Sequence, residues 1–343
     1  MSEHLTLGEY LATQSGPQAR VVTATVQAIA EAAQELAERV SLGVLAGAMG
    51  DMHGGRNSDG DAQKQLDVEA HELFLRRLRG APVAAIASEE SDHPEVLQPD
   101  APLVVAIDPL DGSSNIDTNV SIGTIFSILP ALEDLPQSFL QAGNQQLGAG
   151  FVVYGPQTAL VLSLLQGTSV FVLDRRRNVF VLSHAKLELP AGTREYAINA
   201  SNYRHWNAPV RAFVDDCLQG TDGPRGRDFN MRWIASLVAD TYRILMRGGV
   251  FLYPADRRPS YRHGRLRLVY EANPVALLVE QAGGAASDGV RRILDIEPEQ
   301  LHQRIPLVFG SADKVERVRR YHLDPIQSTQ GWPLFARRGL LRG

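Results

Sequence analysis

Residues 106–117 read Ala-Ile-Asp-Pro-Leu-Asp-Gly-Ser-Ser-Asn-Ile-Asp, and they complete an apolar run, Leu103-Val104-Val105-Ala106-Ile107. Such an unbroken run has the character of a strand buried on both faces. Asp108 and Asp111 stand three positions apart around Pro109. Pro109 sets its own φ and Gly112 permits conformations closed to other residues, so a sharp turn is expected from Asp108 to Gly112. Carboxylates aimed at one spot repel unless a cation lies between them, and hard divalent cations take oxygen ligands. Gly112-Ser113-Ser114-Asn115 then offers backbone N–H groups and two hydroxyls, which are phosphate donors. Metal ligands beside phosphate donors suit metal-assisted phosphate chemistry.

Asp-Pro and Asp-Gly alone are ordinary turn dipeptides. The distinguishing feature is the order of acid, turn, acid and donors after a buried strand. A second apolar run, Val83 to Ala87, leads into Glu89-Glu90. Two strand ends delivering carboxylates to one edge predict an α/β crevice.

The chain of 343 residues has 34 Lys and Arg against 39 Asp and Glu, a formal charge of −5 with no basic block, which argues against nucleic acid as a partner. The single cysteine, Cys217, excludes an intramolecular disulfide framework and fits a reducing compartment. It reads as a buried apolar filler rather than a reactive thiol. The N-terminus has no basic segment followed by an apolar one, and no apolar run has membrane-spanning length. A soluble cytoplasmic protein is expected. The length suggests two domains or one large one; Leu189-Pro190-Ala191-Gly192 is the best linker candidate, hence 1–190 and 191–330, with a tail at 331–343 without assigned role.

Along the chain, Val22, Val26, Ile29, Ala33, Leu36 and Val40 recur at helical spacing, predicting a helix over 18–42 that ends at Gly43. Residues 43–60 read as a long loop before an amphipathic helix carrying Leu73, Phe74 and Leu78. Five strand-like runs follow (122–129, 148–154, 159–165, 170–173 and 179–182), separated by turn residues and so consecutively antiparallel. Beyond the linker, strands are expected at 196–199, 250–253 and 306–309, and helices at 209–218, 230–246 and 312–321. Asn273-Pro274 reads as the N-cap and first residue of a helix; the alternative starts that helix near Leu266 and tolerates Pro274. His53 and His71 read as surface residues.

Five strings taken together are similar to the class I fructose-1,6-bisphosphatases: SEES at 88–91, IDPLDGSSNID at 107–117, INASNY at 198–203, FLYP at 251–254 and GRLRLVYEANPVA at 264–276. The resemblance extends from about Glu9 to Tyr321. It implies an α/β fold layered α-β-α-β-α, with mixed and antiparallel sheets, and Mg²⁺-dependent hydrolysis of the 1-phosphate of fructose 1,6-bisphosphate, Mn²⁺ being a substitute. Metal ligands would be Glu89, Asp108, Asp111, Glu271 and the Leu110 carbonyl. Glu90, assisted by Asp67, would activate the attacking water. Asp61 would approach the metals from a dynamic loop; read alone, Asp61 and Asp67 are equally acids of a loop and a helix start. Asp111, Gly112, Ser113 and Ser114 would hold the reacting phosphate. Asn199, Tyr203, Tyr253 and Arg265 would hold the second phosphate, with Arg232 reaching in from a neighbouring subunit of a homotetramer.

Two residues depart from the family pattern. Arg265 stands where many members carry Lys, and Trp233 where many carry Tyr. Animal members bind AMP through a Gly-Glu-Leu-Thr stretch and a Lys-Tyr pair; the corresponding residues here are Ser15-Gly16-Pro17 and Pro102-Leu103, so animal-type AMP inhibition is expected to be weak or absent. The rival readings are a broader sugar bisphosphatase that also takes sedoheptulose 1,7-bisphosphate, and a non-catalytic phosphosugar sensor.

Overall fold

The protein is described here from a computed structural model over residues 5–46, 52–56 and 62–324. Helix α1 (Leu7–Ala12) opens on a capping box, with Thr6 Oγ1 accepting from the Glu9 N–H and the Glu9 carboxylate accepting from the Thr6 N–H at 2.8 Å. Helix α2 (Ala19–Leu42) buries Val22, Val26, Ile29, Ala33 and Leu36 along one face, with Val40 partly buried beside them, as its spacing predicts. The expected loop at 43–60 needs correction. It contains a strand, β1 (Met52–Arg56), paired antiparallel with β2 (Ala62–Lys64). Pairing of this kind is a property of the backbone, and the glycine-rich composition conceals it. Helix α3 (Gln65–Leu78) buries Leu73, Phe74 and Leu78.

An eight-stranded sheet follows. Its strands are β3 (Val83–Ser88), β4 (Glu95–Val96), β5 (Leu103–Asp111), β6 (Ile122–Pro130), β7 (Gly148–Tyr154), β8 (Thr158–Ser163), β9 (Thr168–Asp174) and β10 (Val179–Leu187). The order is β10-β9-β8-β7-β6-β5-β3-β4, antiparallel except between β3 and β5. The five antiparallel runs read from the sequence are β6 to β10.

The chain then forms β11 (Glu195–Ala197), α4 (Ala208–Leu218), β12 (Asn230–Met231), α5 (Leu237–Arg247), β13 (Val250–Tyr253), β14 (Leu266–Arg267), α6 (Asn273–Gln281), β15 (Ala285–Ser287), β16 (Arg304–Ile305), β17 (Leu307–Gly310) and α7 (Ala312–Leu323). Five of these strands make a second sheet in the order β12-β11-β13-β17-β15.

Strand alternation sorts the side chains into layers. Phe126 and Ile128 of β6, Val152 and Tyr154 of β7 and Leu160 and Leu162 of β8 pack with α1, α2 and α3. Their neighbours Ile125, Phe151, Val153 and Val161 face the opposite way, onto Val238 and Ile244 of α5 and Val275 and Leu278 of α6. The second sheet covers the other side of that helical layer with Phe251 and Phe309, whereas Val250, Leu252 and Val308 pack against Val210 and Phe213 of α4 and Val315 and Val318 of α7. The layers therefore run α-β-α-β-α, as the resemblance implied.

Two expected elements differ. The helix placed at 230–246 begins only at Leu237, behind a Ser236 N-cap that accepts the Ala239 N–H at 3.4 Å. Residues 230–231 instead pair parallel with β11, and Ala235 has φ 66°, which no helix accommodates. At 273–274 the helical path is already established: Asn273 has right-handed helical dihedrals and its N–H reaches back five residues to the Leu268 carbonyl. This wide turn at Leu268–Ala272 leads straight into α6, so Pro274 sits inside a continuous helical path and its missing donor falls where the hydrogen-bond pattern changes. Asn273 is therefore no N-cap, and the alternative start near Leu266 is the closer one.

Cys217 is buried in α4, and burial pushes its thiol up to about 11. Little thiolate is present near neutral pH, so an aromatic disulfide reagent is expected to leave the native protein unlabelled and to label one thiol in denaturant. Rapid labelling of the native protein would contradict this burial.

Candidate active site

The site is built around an irregularity in β5. The strand does not stop at Ile107 but continues to Asp111, and its register against β6 slips: Asp108 lies opposite Ile125, and Asp111 opposite Gly123. Three steps on one strand against two on the other make a β-bulge, not the free turn expected from the sequence. In a regular strand, residues three apart face opposite sides; the extra residue brings both carboxylates to one side. Pro109, without an N–H to pair, sits at the bulge, where its carbonyl accepts Thr124 Oγ1 at 2.8 Å. The Leu110 N–H donates to Asp108 Oδ1 at 3.0 Å.

Asp111 is held from the other side by α5, whose Val238 N–H donates to Asp111 Oδ2 at 3.0 Å. Gly123 makes room for this approach, because a Cβ there would lie 2.6 Å from Val238 and 2.3 Å from the Val152 carbonyl. Gly112 then turns the chain at φ 79° into a short 3₁₀ helix, Ser113–Thr118. Asn115 Nδ2 ties that helix to the carbonyl of Ala235, 2.8 Å away on the approach to α5.

Glu271 arrives from the wide turn before α6. Its Oε2 accepts the Arg267 N–H at 2.5 Å, and Arg267 Nη1 forms an ion pair with Glu89 Oε1 at 3.1 Å. Glu89 follows β3, with its N–H on the Ile107 carbonyl at 3.0 Å. Oxygens of Asp108, Asp111 and Glu271 all lie within 4.8 Å of one another, and all three residues are buried. Burial, then the neighbouring carboxylates led by Glu89, holds Asp108 and Glu271 well above the usual carboxylate range. Burial pushes Asp111 up to about 7, although the Val238 N–H opposes the rise. Clustered buried carboxylates with an all-oxygen donor set fit a hard divalent cation.

These residues line a cleft of about 470 Å³. Of the residues singled out in the sequence, Glu89, Glu90, Asp108, Leu110, Asp111, Gly112, Ser113, Ser114, Glu271, Asn199, Tyr253 and Arg265 all border it. Tyr203 and Arg232 do not: the Tyr203 hydroxyl donates to Asp215 at 2.8 Å, and Arg232 is exposed with Nη1 on the Met231 carbonyl at 3.3 Å. Asp67 is buried in the first turn of α3, outside the cleft lining. Asp61 lies outside the described residues.

His71, expected at the surface, is instead largely enclosed. Its ring nitrogens lie 3.0 Å from Ser88 Oγ and 3.0 Å from Glu95 Oε1. Ser88 Oγ in turn accepts the Glu90 N–H at 3.3 Å, which ties the middle of α3 to the Glu89-Glu90 corner.

The sequence reading missed Arg267 and Asp240. Arg267 stands two residues after Arg265 inside the motif at 264–276, and only folding brings its guanidinium to Glu89. Asp240, buried in the first turn of α5, accepts the Ile234 N–H at 3.2 Å and borders the cleft. Burial raises it to about 7. Its only sequence signal was an acid in the first turn of a helix, and the helix start had been placed too early to reveal it.

Trp233 is stacked on Phe251 (ring centres 5.6 Å apart) and lies 5.9 Å from Tyr253, forming an aromatic wall at the Arg265 end of the cleft.

Comparison with known proteins agrees with this geometry. The family model for the fructose-1-6-bisphosphatase N-terminal domain matches residues 6–185, and that for the C-terminal domain matches 189–323. The chain belongs to the class 1 fructose-1,6-bisphosphatase family. A Sinorhizobium medicae protein named fructose-1,6-bisphosphatase class 1 is 57% identical, over 98% of this chain and 99% of its own length. A Rhodopseudomonas palustris protein of the same name is 55% identical over 95% of each chain. Among solved structures, the holo form of Leishmania major fructose-1,6-bisphosphatase superposes with a TM-score of 0.87 at 31% identity, covering 93% of this chain and 99% of that one. The protein is thus a phosphatase. No helix among the described residues is long and apolar enough to cross a membrane.

The Arg267–Glu89 pair supports a direct test of the site's electrostatics. Arg267→Met removes the guanidinium that faces a mostly enclosed carboxylate among other acids and is expected to cost about 3–5 kcal/mol of unfolding free energy, measured by urea denaturation in EDTA. A loss below ~1 kcal/mol would mean that the pair carries little of the local charge balance.

Proposed function

We propose that the protein hydrolyses the 1-phosphate of fructose 1,6-bisphosphate, with Mg²⁺ as its cation and Mn²⁺ as a substitute. The observation that carries this reading is the convergence of three buried carboxylates, from β5 and the turn before α6, beside the donor turn at Gly112–Ser114. Glu89, Asp108, Asp111, Glu271 and the Leu110 carbonyl would hold the cation. When bound, it would offset charge on the phosphoryl oxygens and make a nearby water more acidic.

The protein's own groups supply the rest. Gly112, Ser113 and Ser114 offer N–H and hydroxyl donors to the reacting phosphoryl group as its charge develops. Glu90, on the cleft wall, accepts the proton of the attacking water. Asp67 assists from the first turn of α3, a helix linked to Glu90 one turn further on through His71 and Ser88. Asn199, Tyr253 and Arg265 receive the second phosphate at the far end. Arg232, exposed on this chain, reaches a neighbouring subunit of a homotetramer, and the enzyme works in the cytoplasm.

Trp233, which puts an indole against Phe251 and Tyr253 where many family members carry a tyrosine hydroxyl, bears on substrate range, so sedoheptulose 1,7-bisphosphate is tested in parallel as an additional substrate.

Phosphate release should be rapid from fructose 1,6-bisphosphate in Mg²⁺ and negligible in EDTA; tight binding without release would overturn the reading. AMP should not inhibit. The cavity of about 300 Å³ at the start of α2 is lined by Gln14, Ser15, Gly16, Pro17 and neighbours that include no lysine or arginine for a phosphate.

Asp108→Asn keeps the acceptor for the Leu110 N–H while removing one crowded charge. In EDTA it should raise the melting temperature by a few degrees, about 1–2 kcal/mol. It should also abolish activity and remove the stabilisation that Mg²⁺ confers on the parent protein. An unchanged melting temperature in EDTA, with normal activity, would exclude Asp108 from the cation site.

A further inference from the structure

The segment from Pro254 to Arg265 closes on itself beside the cleft. The Asp256 N–H donates to the Tyr261 carbonyl at 3.1 Å, and the Tyr261 carbonyl also accepts the Gly264 N–H at 3.0 Å. Gly264 is pressed against the chain at Ile305, where an added Cβ would lie 2.3 Å from the carbonyl, so the end of this segment is anchored. Asp256 is buried, and its carboxylate accepts both the backbone N–H of Arg258, at 2.9 Å, and the guanidinium of the same residue. The Arg258 guanidinium lies 3.9 Å from the centre of the Tyr261 ring. The Arg265 guanidinium, which borders the cleft, lies 5.6 Å from the same ring. Tyr261 itself lines a small cavity together with Asn199, Trp206, Trp233, Tyr253 and Asp256.

We propose that Tyr261 is a positioning residue for the second phosphate, its ring holding the Arg265 guanidinium at the end of the cleft before substrate arrives. This rests on the reading that Arg265 receives that phosphate. The physical argument has two parts. A guanidinium on a long flexible stem loses rotamer freedom when it must grip a phosphate, and an aromatic face that already orders it lowers that loss on binding. Two cations at one ring would ordinarily repel. Asp256 neutralises Arg258, so Arg258 buttresses the ring without opposing Arg265 electrostatically. A lysine, as a point charge, would gain less from this arrangement than the planar fork present here.

The experiment is a double-mutant cycle on steady-state kinetics with fructose 1,6-bisphosphate and Mg²⁺, using Tyr261→Ala, Arg265→Met and the double variant, with Tyr261→Phe as the conservative control. Tyr261→Ala is expected to raise KM about tenfold with kcat within twofold of the parent. Tyr261→Phe, which keeps the ring, should retain the parent KM, and adding Tyr261→Ala to Arg265→Met should change KM little further. Should Tyr261→Ala not fold, Tyr261→Leu keeps volume without an aromatic face and carries the same cycle. Additive effects of the two substitutions, or a Tyr261→Phe loss equal to that of Tyr261→Ala, would overturn the proposal. So would an unchanged KM in Tyr261→Ala when Arg265→Met raises it. If Arg265→Met itself leaves KM unchanged, the reading of Arg265 as a phosphate ligand fails, and the positioning role falls with it.

Discussion

The structure depends on one electrostatic constraint: several carboxylates held out of water within a few ångströms of each other. Asp108, Asp111 and Glu271 are buried, and Glu89 adjoins them, with Arg267 answering part of the charge. No hydrophobic gain explains such a cluster, since each acid would be better solvated apart. The local backbone is arranged to maintain it. The bulge in β5 turns two acids that alternation would separate toward one point. Gly123 lets α5 approach close enough to give Asp111 an N–H. The wide turn before α6 delivers Glu271 from a third direction. Crowded carboxylates of this kind concentrate where a protein acts on charge.

The layering explains how such distant segments meet. Helices α5 and α6 lie between the two sheets, covered by apolar side chains on both sides. Their starts therefore reach the sheet edge where β3 and β5 end. The N-terminal end of α5 contributes the Val238 N–H, the Ser236 cap and the buried Asp240, while the approach to α6 contributes Arg267 and Glu271. A shift of either helix along the sheet would separate phosphate donors from metal ligands. The packing of Val238 and Val275 against Ile125 and Phe151 thus positions the chemistry as well as the core.

Much of the site was legible because its residues occur in short strings whose chemistry is local. Asp108, Asp111 and the Gly112–Ser114 donors share one stretch, and Glu89-Glu90 ends another apolar run. Residues whose role depends on facing something distant were not. Arg265 and Arg267 stand two positions apart, a spacing that a strand would put on one face, and nothing in their order says that Arg267 pairs with Glu89 while Arg265 lies beside the Tyr261 ring. His71 looks like any polar residue on an amphipathic helix until Ser88 and Glu95 are brought to its ring. The helix expected at 230–246 failed at Ala235, where a non-glycine residue with positive φ departs from the helical propensity of its neighbours.

The sequence by itself determined the elements and their apolar faces: the helix of Val22 to Leu36, the run of antiparallel strands from β6 to β10, and the acids and donors of 106–117. Those features follow from periodicity and from chemistry within a few residues. Only the tertiary structure decided that Asp108 and Asp111 are joined on a bulge rather than a free turn, that Glu271 rides a widened helical turn just before Pro274, and that Tyr261 carries two guanidinium groups. Each of these is set by which surface packs against which, and register, close approach and burial arise from contacts between residues far apart in the chain.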